Sequence, residues 1–126
     1  MKCLLVLLSL CSLVSGSAAL AHHSTATNFT QEIVEIAGTI EQVRFQNPHT
    51  SFVVKIEAGE GQAPFWLVES DARSTFERKG IKLDGVAIGS KVTVSGRKGV
   101  RPNTMFLREL KLEDGTRFTS SGTGKD

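Results

Sequence analysis

A chain of 126 residues with 15 basic and 13 acidic side chains is long enough for one domain and too evenly charged to be a general polyanion binder. Both cysteines, Cys3 and Cys11, fall in the first eleven residues, so a disulfide framework or a thiol nucleophile in the folded part is excluded if that segment is removed.

Residues 1–21 carry the three-part layout of a secretory leader. Lys2 is followed by the apolar run LLVLLSLCSLV and then by small residues ending SAALA. Ala19 and Ala21 satisfy the small-x-small rule, and the apolar run is too short for a spanning helix. Cleavage after Ala21 is expected, which makes His22 the first residue of the mature chain. A lipoprotein reading of Cys11 is disfavoured by Leu10 directly before it, where a small residue is needed. With Lys2 gone the charges become 14 basic against 13 acidic. The expected setting is periplasmic or secreted, with no membrane span after processing.

Residues 22–32 read as a polar arm leading into the domain, residues 33–119 as the domain itself and residues 120–126 as a disordered, glycine-rich tail. In IVEIAGTIEQVRF, Val34, Ile36 and Ile40 share one parity, whereas Val43 and Phe45 take the other. Successive strand side chains alternate faces, so the switch predicts a bulge or bend near Glu41 and Gln42. Phe52, Val54, Ile56 and Ala58 then share a face of a second strand. APFWLVES is a third, apolar without interruption and so expected to be covered on both faces. Ser70 or Asp71 can cap a helix of two to three turns, with Ala72 and Phe76 on one face and Gly80 as its stop. A fourth strand, IGSKVTVSGRKG, points Val92 and Val94 inward. A fifth, NTMFLRELKL, turns through EDG into a short sixth, TRFT.

The order β-β-β-α-β-β describes an all-β, OB-like Greek-key barrel with one short helix after the third strand. A β-sandwich is the alternative, but it accounts for neither the lone helix nor the bent first strand.

Cleavage after Ala21 would give His22 a free α-amine. That amine and the residue's own Nδ1 can chelate one metal ion, and a third imidazole completes a histidine brace. Nitrogen ligation in a plane suits Cu(II), the tightest binder among the common divalent ions. His49 in the loop FQNPHTSF is the natural third ligand, and His23 a fourth or an alternative. Asn47 and Glu69 stand as residues that could orient or supplement the set. Zinc is the lesser option, since no cysteine or carboxylate completes a tetrahedral site. The plainer reading makes His22 and His23 a solvated start and His49 a turn residue bonded to backbone. A second functional class uses the fourth-to-fifth strand loop, where Arg97, Lys98 and Arg101 could hold a protein or polyanionic partner. Nucleic acid is not expected as that partner, because core packing accounts for Phe45, Phe52 and Phe106 and export separates the chain from it. No catalysis is expected either. There is no tyrosine, Trp66 is the sole tryptophan, and no serine has a nucleophile context.

AHHS at the leader boundary, NPH after a GTIEQVRF strand, FWLVES and GSKVTVSGRKG together resemble a family of small exported bacterial proteins classed as a domain of unknown function. The resemblance covers nearly all of the chain after the leader, and the paired histidines with Asn-Pro-His are its most specific elements. It implies a bacterial periplasmic setting and supplies no activity. Thr50 departs from the aromatic or small residue that members often carry after the histidine. The brace is similar to those of periplasmic copper carriers and copper-dependent polysaccharide monooxygenases, in site and not in fold. Its expected partners are a metal ion and another periplasmic protein.

Overall fold

Alternation of apolar and polar residues builds the first strand, β1 (Phe29–Arg44), and a slip in that alternation bends it. The computed structural model describes residues 27–61, 63–83 and 85–119, and the backbone of 122–125. The N-terminal part of β1 pairs antiparallel with β4 (Lys91–Gly99), from Phe29 opposite Gly99 to Thr39 opposite Lys91. Its C-terminal part pairs with β2 (Ser51–Ile56), from Gly38 opposite Ile56 to Arg44 opposite Ser51. The register shifts between Ile40 and Gln42, which leaves Glu41 out of the ladder and turns Val43 and Phe45 back towards the core. The predicted bend therefore lies where the parity switch put it.

Gly38 is the pivot. It pairs with Ile56 on one side and Val92 on the other, and a Cβ there would overlap the Lys55 carbonyl.

β3 (Phe65–Glu69) pairs antiparallel with β2, and β5 (Thr104–Leu112) pairs antiparallel with β4. The barrel closes where β3 and β5 run parallel, from Leu67 opposite Thr104 to Glu69 opposite Phe106. This mostly-β, OB-like arrangement is the expected one, with the helix after the third strand. Ile36, Ile40, Phe52, Val54, Val68, Val94, Met105 and Leu110 fill the interior. β6 (Thr116–Thr119) extends the sheet from the outer half of β5, with Phe118 buried.

Four local expectations are corrected. β1 starts at Phe29 and not at Ile33, because Phe29 is buried and its ring meets that of Phe106 edge-on at 5.4 Å. β3 is covered on one face only: Val68 is fully buried, but Phe65 on the other side is 50% exposed. The helix α1 (Arg73–Arg78) is shorter than two turns, its N-cap is Ala72, and no side chain of its own flank caps it. Ser70 and Asp71 lie ahead of that position, where their backbones bridge to Thr50: Ser70 N–H donates to the Thr50 carbonyl at 2.8 Å, and Thr50 N–H to the Asp71 carbonyl at 3.1 Å. Gly80 does end the turn, with φ of +66°. Finally, the backbone of β7 (Gly122–Lys125) pairs with β6, where composition alone predicted a tail without structure. The expected leader and residues 22–26 of the expected arm lie outside the described residues. No helix among the described residues is long and apolar enough to cross a membrane.

Candidate functional site

Residues 45–50 join β1 to β2 and bond to the stretch from Ser70 to Ser74, which leads from β3 into α1. Gln46 offers its carbonyl to the Arg73 N–H at 3.1 Å, and Asn47 Oδ1 accepts from the Ser74 N–H at 3.1 Å. Asn47 thus satisfies one of the free N–H groups of the first helical turn from 27 residues away. Arg73 lies over the Phe45 ring at 5.4 Å, and Phe45 packs against the Phe76 ring at 6.2 Å. The Asn47–Pro48 peptide is cis.

His49 is exposed at the crest of this loop. Its Nδ1 lies 3.3 Å from the Ser70 carbonyl oxygen. A carbonyl only accepts, so this contact is a hydrogen bond when the proton sits on Nδ1, and Nε2 then holds the lone pair. Metal-binding imidazoles are commonly oriented by such a bond from the opposite ring nitrogen to a backbone carbonyl.

The neighbouring residue, Glu69, faces the turn between β4 and β5. Its Oε1 accepts from Arg101 Nη2 at 3.4 Å, and its side chain is only 24% exposed. That turn also meets the start of β1, where the Val100 N–H donates to the Asn28 carbonyl at 2.9 Å. The structure therefore brings His49, Ser70, Glu69 and Arg101 to one corner, with the entry of the chain into β1 beside it. Asn47 sits at the same end but is turned to the helix. His22 and His23 lie outside the described residues. Among the described residues, no group of three or more His, Cys, Asp or Glu side chains is placed to hold a metal.

The three basic residues of the alternative site each have a local partner. Lys98 Nζ is 3.2 Å from Glu32, Arg101 is on Glu69, and the Arg97 guanidinium lies over the Phe106 ring at 5.4 Å. Phe52 is buried in the core, and Phe45 and Phe106 are packed against Phe76 and Phe29. None of these three rings is left standing free as a stacking platform.

The sequence reading missed the partners of the loop: Gln46, Ser70, Asp71 and Ser74 act mainly through backbone atoms, which leave no residue-type signal. Asn47 did carry one, since asparagine is a favoured capping residue, but its helix is remote in sequence.

Residues 10–106 match the family described as "Family of unknown function (DUF6152)", and the chain belongs to that family. No curated protein matches it. Among solved structures it is similar to the mitochondrial single-stranded DNA binding protein Rim1 of S. cerevisiae, with 13% identity and a TM-score of 0.48, over 68% of this chain and 94% of that one.

Proposed function

We propose that the protein is an exported, periplasmic copper-binding protein that holds Cu(II) between the mature N-terminal His22 and His49, with His23 as a further nitrogen donor. It would serve as a carrier, a sequestering protein or an assembly factor, and not as an enzyme. The observation that carries this reading is the His49 ring, exposed and tied through Nδ1 to the Ser70 carbonyl, which leaves Nε2 to accept a metal. The entry of β1 supports it. The Asn28 carbonyl accepts from the Val100 N–H, and the next residue, Arg101, holds Glu69, the neighbour of the Ser70 that meets His49. Residues 22–27 can span up to about 20 Å when extended, so an N-terminal amine would range over this end of the barrel.

The chemistry of the amine sets the pH dependence. Its reference pKa is about 8, and it must lose its proton to bind, so affinity falls as the solution is acidified below neutrality. Export is part of the proposal, because only cleavage after Ala21 creates the chelating amine.

The test is a competition titration of Cu(II) against a chromogenic chelator. Processed protein beginning at His22 is compared with the same protein acetylated at the His22 α-amine. Acetylation removes the amine–imidazole chelate and is expected to weaken binding by more than about tenfold, which is 1.4 kcal/mol. Equal affinities for the two forms would contradict the brace. The partner-module reading has less support, since Lys98 and Arg101 are engaged by Glu32 and Glu69 and Arg97 by Phe106.

A further inference from the structure

A crevice of about 370 Å³ opens between the end of β1 and the segment that follows α1. Five apolar side chains line it: Val43, Phe45, Ile81, Leu83 and Val86. Its size lies within the range of about 300–1,000 Å³ usual for small-molecule sites. The walls are set by the fold's own bonds. Ile81 is 4% exposed and its N–H donates to the Phe76 carbonyl at 2.9 Å, while the Val86 N–H donates to the Leu83 carbonyl at 3.1 Å. Val43 and Phe45 are held on the other side by the bulged end of β1 and by the stacking of Phe45 on Phe76.

Two charged residues border the crevice, and they are not equivalent. The Glu77 carboxylate accepts from Arg73 Nε at 2.7 Å, so its charge is already matched. Lys82 is exposed and has no ion-pair partner among the described residues. Among the described residues, the rim therefore presents one unmatched positive charge beside an apolar floor.

We infer that this crevice binds a small amphipathic carboxylate, an acyl or aryl acid whose apolar body lies on Val43, Phe45, Ile81, Leu83 and Val86 and whose carboxylate meets Lys82. A cationic amphiphile is disfavoured by the same arrangement, because Lys82 repels it and Arg73 already occupies Glu77. Neither His49 nor residues 27–32 line the crevice, so the inference is argued apart from the copper reading.

Decanoate is the probe, titrated below its micellar concentration into isotope-labelled protein and followed by amide chemical shifts. Saturable shifts confined to residues 43–45 and 77–86 are expected. Lys82→Glu, a change at an exposed position, should weaken binding about fivefold, whereas 1-decanol should bind wild type and variant alike. Val86→Trp should fill the crevice and abolish the shifts. No saturable shift, or shifts centred elsewhere, would overturn the site. Decanoate binding indifferent to Lys82→Glu would overturn the assignment of the carboxylate.

Discussion

Thr50 places its hydroxyl in the barrel interior, where the residue is fully buried and Oγ1 has no hydrogen-bond partner among the described residues. A buried hydroxyl without a partner carries a desolvation penalty that a methyl of the same shape does not. Thr50→Val is therefore expected to leave stability unchanged or raise it by about 1 kcal/mol in urea unfolding. A loss of that size would reveal an ordered water on Oγ1. Three residues away, Asn47 acts through its side-chain oxygen. Asn47→Ala removes the cap on Ser74 and should cost about 1 kcal/mol, while Asn47→Asp keeps an acceptor and should cost less. Equal costs for the two would mean that the oxygen is not what matters there. At this scale little was legible beforehand. Asn47, His49 and Pro48 drew attention by residue type, but what each one touches depends on a segment more than twenty residues further along.

Among the elements, β1 carries the architecture, since one strand serves both β2 and β4. Gly38 is where it passes from one to the other, and added bulk there must displace the Lys55 backbone. Gly38→Ala should destabilise the protein by about 2 kcal/mol, a cost typical of overpacking. Gly59→Ala, at a site open to solvent, serves as the control and should stay within about 0.5 kcal/mol. A harmless Gly38→Ala would contradict the double pairing. Alternation in the sequence disclosed the bend at Glu41 and the inward faces of β2 and β4, because a strand's period of two survives in any single chain. It did not disclose the parallel closure of β3 on β5, since alternation records which face a residue takes and not which strand lies alongside. It overstated α1 for a related reason: Ser70 and Asp71 have the residue types of a cap, yet they belong to the backbone bridge with Thr50, and the helix begins only after Ala72.

For the whole molecule, the balance of charge is local as well as global. Lys98 and Arg117 stand opposite Glu32 and Glu109 across neighbouring strands, and Arg101 in the β4–β5 turn meets Glu69, so these described charges form no extended single-sign field. Retention on a heparin column is expected to be lost at or below physiological ionic strength, about 0.15 M. Elution well above that would favour a polyanionic partner over a metal. What the proposal draws on is one end of the fold, where the exposed His49 ring meets the Ser70 carbonyl and the turn holding Glu69 also bonds the entry of β1. The most direct test is electron paramagnetic resonance of the processed protein with one equivalent of Cu(II). A tetragonal signal with nitrogen hyperfine structure from three donors, reduced in nitrogen count by His49→Ala, is the predicted result. A signal identical in wild type and His49→Ala, or one indistinguishable from Cu(II) in buffer, would contradict it.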